Sequence, residues 1–202
     1  MRKSDLDFWQ GMAAHYSKFM RRSAPIYAEI CNHIRPHLTR DMNVLELACG
    51  TGQLSFPLSP YVRWEATDAS SKMIAEAKKQ TGSSRLHFSV QDASRLPYAS
   101  ETFDAVVIAN ALHILPEPEK VLREARRVLK PGGWLFAPTF IHAGGKLASL
   151  RTWGMERTGF RVYHLWNAGE FIAYLSSHDF WVTEHTLLGG RVLPLCYVAG
   201  RK

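Results

Sequence analysis

At 202 residues and 46% hydrophobic content, the chain is long enough for one domain with a sizeable core and too short for two full ones. No window approaches the roughly 18 unbroken apolar residues of a membrane span, and the opening MRKSDLDFWQ lacks the apolar run of a secretory signal. A cytoplasmic protein is expected. Cys31, Cys49 and Cys196 are odd in number, far apart and in no metal-ligand spacing, so neither a disulfide framework nor a bound metal is expected. The net charge is +7, yet residues 41–140 hold 11 Lys+Arg against 11 Asp+Glu. The excess therefore sits in the two ends, where it could favour an anionic partner or form solvated faces.

In chain order, a helix is expected around Phe8 to Phe19, and a second, amphipathic one from Pro25 to His37, where Ile26, Tyr27, Ile30 and Ile34 recur at helical spacing. Val44 to Ser55, VLELACGTGQLS, is a near-continuous apolar run carrying one acid, Glu46, and breaking into a glycine turn. Such a run reads as a buried parallel strand, and Gly50 and Gly52 allow a sharp turn and a close approach of backbone to a ligand. A helix with its N-terminal N–H groups toward that ligand should follow.

Val62 to Thr67 reads as the second strand, followed by a helix capped by Ser70 or Ser71 with Met73, Ile74 and Ala77 facing inward. Leu86 to Val90 and Phe103 to Ala109 are the third and fourth strands, and Pro118 opens a helix whose Val121, Leu122, Ala125, Val128 and Leu129 form one stripe. Pro131, Gly132 and Gly133 are expected to stop it. Trp134 to Phe140 is the fifth strand, and a helix is expected around Leu147 to Arg157. Asn167 caps a last helix over Gly169 to Ser177. Two closing strands, Phe180 to Leu187 and Val192 to Ala199, meet at a Gly189-Gly190 hairpin.

Alternating strands and helices predict an α/β fold, a three-layer sheet parallel through its first five strands with an antiparallel last strand. Ligands in such sheets bind beyond the carboxyl ends of the strands, where Gly50, Asp68, Asp92 and Asn110 all fall.

The motifs VLELACGTG (44–52), ATDASSKMIAEAKK (66–79), QDASRLPYASETFDAVV (91–107), ANALHIL (109–115) and RVLKPGGWL (127–135) resemble, in order, those of class I S-adenosylmethionine-dependent methyltransferases of the ubiquinone and menaquinone biosynthesis group. The resemblance implies a seven-stranded Rossmann-like sheet and S-adenosylmethionine as cofactor, with S-adenosylhomocysteine as product. It places Glu46, Ala48, Gly50 and Gly52 under the methionine and ribose portion, Asp68 on the ribose hydroxyls, and Ala69 and Met73 against the adenine. Asp92, helped by Ala93, would accept the adenine amino group, and Asn110 would lie near the sulfonium. Tyr16 matches a tyrosine of N-terminal helices that close over the cofactor. His113 is the candidate catalytic base. One departure is Asp179 before Phe180, where the family has glycine, so that turn is expected to differ.

The resemblance also implies one methyltransferase domain over 1–202: a helical lid (1–40), a cofactor core (41–140), and a substrate-side insertion with the closing hairpin (141–202). A nicotinamide oxidoreductase is the rival, but Ser55 replaces the third glycine of G-x-G-x-x-G and Glu46 would repel a pyrophosphate. The expected reaction is methyl transfer to an O, C or N atom of a small molecule, aromatic or anionic if Trp153, Tyr163, His164, Trp166 and the arginines at 151, 157 and 161 bind it; the same residues fit a local core with a solvated basic face equally well. An RNA or protein methyltransferase using the basic ends, and a non-catalytic cofactor-binding protein, remain the alternatives. No recognisable RNA-binding module accompanies the core, so a nucleic-acid partner is less favoured.

Overall fold

The computed structural model describes residues 3–20, 23–80, 82–142, 160–189 and 194–202. Two helices, α1 (Lys3–Met20) and α2 (Ala24–Ile34), precede the sheet, α2 continuing into a 3-10 turn, Arg35–His37. The strands are β1 (Asn43–Leu47), β2 (Arg63–Asp68), β3 (Leu86–Val90), β4 (Phe103–Ile108), β5 (Leu129–Phe136), β6 (Thr139–Phe140), β7 (Trp181–Leu188) and β8 (Leu195–Arg201). Their order is β3-β2-β1-β4-β5-β8, with β7 and the short β6 both on β8. Pairing is parallel from β3 through β5, and β8 runs antiparallel to β5, β6 and β7. The expected antiparallel last strand is therefore present, in a sheet that among the described residues has eight strands rather than seven.

The eighth strand arises because the segment read as one strand, Trp134 to Phe140, is divided. Pro138 has no N–H to give a ladder, and its carbonyl turns to accept the backbone N–H of Asn110 at 2.8 Å. A second boundary also moved. Helix α5 (Pro118–Val128) ends before the Pro-Gly-Gly, which lies inside β5 where the register against β4 shifts. Gly133 fits there because a Cβ would stand 2.9 Å from the Lys130 carbonyl.

Period-two alternation divides the core between the two faces of the sheet. Val44, Trp64, Ala105 and Phe136 pack on Ile30 and Ile34 of α2 and Ile74 of α4 (Ser71–Ala77). Leu45, Leu47, Val106 and Leu135 pack on Leu122 and Val128 of α5 and Phe171 and Leu175 of α6 (Ala168–Ser176). Each fully buried large side chain contributes about 1.5–3 kcal/mol of transfer free energy. Asn167 caps α6 through a capping box with Glu170, and Ser70, rather than Ser71, caps α4 by accepting the Met73 N–H.

The expected helix after the glycine turn is present but short, and the expected difference at Asp179 is not found. The helix after the glycine turn, α3 (Ser55–Leu58), is one turn long, because Pro57 and Pro60 leave no room for a longer one. Asp179 takes the left-handed conformation at φ 60°, so the turn keeps the shape glycine would give it, with the Arg126 guanidinium 3.9 Å from its carboxylate. The helix expected around Leu147 to Arg157 and the Gly190 end of the hairpin lie outside the described residues.

Candidate active site

The carboxyl ends of β1, β2, β3 and β4 open into one cavity, with α1 across it. Its wall includes Glu46, Ala48 and Gly50 from β1 and its turn, Asp68 at the end of β2 with Ala69 and Met73 beyond it, Asp92 and Ala93 after β3, and Asn110 after β4. Tyr16 reaches in from α1. Ten of the eleven residues expected to hold a cofactor thus meet at one place. The other, Gly52, lies behind the turn on a neighbouring groove.

Glu46 shares a face of β1 with Val44, which carries it into the α2 side of the core, where it is 3% exposed. Its Oε2 accepts from Ser55 Oγ at 2.5 Å and from Trp64 Nε1 at 2.8 Å. Burial pushes its carboxyl up from 4.5 to about 7; these two donors pull it back and the nearby Asp68 raises it further. An acid poised in this way ionises fully when a cation arrives beside it.

Asp68 ties the turn to β2. Its Oδ2 accepts the Gly50 N–H at 2.9 Å and its Oδ1 accepts the Ser70 N–H at 2.8 Å. Burial raises its carboxyl and those two N–H groups oppose the rise. Each carboxylate oxygen has a further lone pair, enough for two hydroxyls of a ligand. At Asp92, burial raises the carboxyl while the N–H and hydroxyl of Ser94 lower it, and the net shift is downward.

The turn itself requires glycine. At Gly50, φ is 57° and a Cβ would lie 3.1 Å from the Tyr16 ring; at Gly52, φ is 88° and a Cβ would lie 2.7 Å from Phe56. Ala48 at φ 55° and Asn110 at φ 53° adopt the same left-handed region without being glycine. Strained backbone of this kind collects where a ligand is held.

Sequence reasoning missed the roof and the far wall. Trp9 of α1 and Tyr27 of α2 line the cavity, as do Ile114 to Glu117. Trp9 meets Tyr16 edge to face with centroids 5.9 Å apart and packs on Phe160 at 5.8 Å. Tyr163 fastens α1 from the other side, its hydroxyl donating to both oxygens of buried Asp5 at 3.1 and 3.0 Å. The helical spacing of Tyr27 marked it only as a core residue.

His113 stands elsewhere. It is 7% exposed and outside the cavity wall, with Nδ1 2.9 Å from Thr139 Oγ1. Burial, then the neighbouring His164, lowers it from 6.5 to about 4, so it is neutral at pH 7. Its carbonyl accepts the N–H groups of Tyr163 and His164, which fixes the 160–166 segment beside the site. Trp166 stacks on His164 and Tyr174 and joins the α6 core rather than the cavity. Trp153, Arg151 and Arg157 lie outside the described residues.

Taken together, the wall holds four acids, Glu46, Asp68, Asp92 and Glu117, and among the described residues no lysine or arginine. No group of acids, histidines and cysteines suited to a metal ion occurs among them either. A site of this sign suits a ligand with hydroxyls and positive charge, and disfavours a pyrophosphate.

Residues 45–137 match the family model of the methyltransferase domain. The ubiquinone/menaquinone biosynthesis C-methyltransferase UbiE of Desulfotalea psychrophila is 41% identical over 93 residues, which are 45% of this chain and 38% of that one. The demethylmenaquinone methyltransferase of Thermotoga maritima is 37% identical over 120 residues, 54% of this chain and 52% of that one. The chain thus spans about half the length of the curated relatives it matches. A chain from the complex between the Haloferax volcanii methyltransferase activator Trm112 and a candidate methyltransferase superposes with a TM-score of 0.81 at 20% identity, covering 98% of this chain and 96% of that one. At that identity the likeness concerns the fold. It extends over α1, α2 and the closing strands as well as the matched core.

Proposed function

We propose that the chain, whose residues 45–137 match the methyltransferase-domain model, is an S-adenosylmethionine-dependent methyltransferase acting on a small molecule. The observation that carries this reading is the acid-lined cavity without lysine or arginine among its described wall residues, at the ends of β1 to β4. The donor has an ammonium, a sulfonium, two ribose hydroxyls and a flat base, and the wall offers a partner for each. Asp68 receives the hydroxyls, Met73 and Ala69 press on the base, Asp92 with the Ala93 backbone receives its amino group, and Glu46 attracts the ammonium. Gly50 leaves bare backbone beneath the methionine portion.

When bound, the donor supplies an electrophilic methyl group. The protein's part is to hold the acceptor in line and exclude water, and orientation of this kind is worth effective molarities of about 10⁵–10⁸ M. In this reading His113 is a positioning group for the 160–166 segment and takes no proton. Residues 1–40 act as a lid in this reading: α1 lies across the cavity and contributes Trp9 and Tyr16 to its wall, so its displacement would admit the donor.

The acceptor in this reading is aromatic. Trp9, Phe8 and Phe160 form a ring cluster beside the cavity, and the relatives' names describe quinone methylation. An aromatic small molecule of this kind is compatible with a cytoplasmic location, and among the described residues no helix is long and apolar enough to cross a membrane.

Calorimetry with S-adenosylmethionine and S-adenosylhomocysteine tests the donor assignment. Binding of both, lost in Asp68→Ala, is the expected result; absence of heat with either ligand on the intact chain refutes it. Transfer of labelled methyl to phenols and hydroquinones then tests the acceptor class.

A further inference from the structure

Asn110 presents an anomaly at the end of β4. Its Oδ1 is buried and has no hydrogen-bond partner, although the residue lines the cavity. A buried acceptor left unpaired costs about 1–3 kcal/mol, and the left-handed backbone at this position adds strain. Its backbone N–H is held by the Pro138 carbonyl at 2.8 Å, so the residue cannot swing away. Its Nδ2 donates to the Tyr27 hydroxyl at 3.1 Å, which fixes the direction of the amide.

Tyr27 is well made for that task. Its ring is 8% exposed and packed in the α2 core, and the Tyr16 hydroxyl lies beside it. Burial pushes its phenol up to about 12, so it stays neutral, and its oxygen accepts from the Asn110 amide. No cationic side chain among the described wall residues approaches the amide oxygen.

The strand order gives that oxygen a place along the donor. Asp92 follows β3, Asp68 ends β2, and Asn110 follows β4 across β1. A ligand with its base at Asp92 and its ribose at Asp68 therefore carries its sulfur onward toward Asn110, while Glu46 on β1 attracts the ammonium.

We propose that Tyr27 is a positioning residue that turns the Asn110 carbonyl oxygen toward the sulfonium, so that the site favours the charged donor over its neutral thioether product. The inference rests on the methyltransferase reading and adds to it a means of limiting product inhibition. Asn110 contacts the cofactor in this scheme; Tyr27 acts through Asn110.

The test is the ratio of S-adenosylhomocysteine to S-adenosylmethionine dissociation constants, measured by calorimetry on the full chain. Tyr27→Phe keeps the ring and removes the acceptor. It should lower the ratio about five- to tenfold, chiefly by weakening the donor. Asn110→Leu should lower it similarly, and adding Tyr27→Phe to Asn110→Leu should change it no further, because both act on one oxygen. The ratio is internally normalised, so a general loss of folded protein leaves it unmoved. If Tyr27→Phe weakens both ligands equally, or neither, the inference is overturned while the cofactor assignment stands. If the unaltered chain binds neither ligand, both fall together.

Discussion

Replacing Glu46 by glutamine should make the empty protein more stable and a worse binder, with the stability gain confined to one pH range. In the fold its carboxyl is pushed from 4.5 to about 7; in the unfolded chain it returns to its ordinary value. A folded value raised this far means that stability is fully present below about pH 4.5 and is lost as pH rises through about 7. The gap corresponds to about 3 kcal/mol. Glutamine keeps an oxygen for Ser55 and Trp64 and has no charge to bury, so it escapes the loss. Urea unfolding without ligand should give wild type and Glu46→Gln similar stabilities at pH 4, a small advantage to the variant at pH 5, and an advantage approaching about 3 kcal/mol at pH 8. Taking the difference between the two proteins removes the other titrating groups they share. Donor binding should run the other way. Near pH 7 the wild type should release a proton on binding, seen as a dependence of the calorimetric enthalpy on buffer ionisation heat, and the variant should not. A stability difference that stays constant from pH 5 to pH 8 would refute the account of Glu46 as a buried acid kept for a cation.

Asp68→Asn should weaken S-adenosylmethionine and S-adenosylhomocysteine alike, by tenfold or more in calorimetry, since both carry the ribose and the Gly50 and Ser70 N–H groups lose a charged acceptor. Gly52→Ala should lower the thermal midpoint of the empty protein, at a cost of at least about 1–2 kcal/mol for the left-handed backbone alone; the Phe56 ring 2.7 Å from the new methyl must also move. Tyr163→Phe removes the hydroxyl that donates to Asp5. It should speed both entry and exit of the donor several-fold, followed by Trp9 fluorescence in stopped flow, and unchanged exchange rates would show that α1 is not the lid.

The parts of the fold legible in the sequence are those where one physical signal dominates. Buried parallel strands need continuous apolar runs, and β1 (Asn43–Leu47) and the start of β4 stand where those runs placed them. Helix α6 was marked by its cap and α5 by its stripe, both local signals. The errors occur where tertiary pairing overrides the local one. Pro-Gly-Gly reads as a helix stop, yet pairing with Phe103 of β4 draws Leu129 into the sheet and ends the helix at Val128, two residues before that stop. Trp134 to Phe140 reads as one strand until the carbonyl of Pro138 is claimed by Asn110.

The same distinction governs the site. Glu46, Asp68, Asp92 and Asn110 were legible because each sits at a strand end, so the topology alone brings them to one edge of the sheet. Trp9 and Tyr27 were not, because they come from helices outside the strand-and-turn pattern, and nothing in a helical stripe says which sheet edge its aromatics will cover. His113 shows the converse: its place in the chain suggested the cavity, but the 3-10 turn at Leu112–Ile114 directs its ring to Thr139. In the proposed reading, residues at the strand ends hold the cofactor, a pattern the sequence can reveal. In the same reading the acceptor is chosen by α1, α2 and the 160–166 segment, whose positions are set by contacts such as Tyr163 to Asp5, 158 residues apart. Differences in acceptor among proteins with this core should accordingly follow those helices and that segment, and an exchange of α1 and α2 alone should alter acceptor choice while leaving the Asp68 and Asp92 contacts in place.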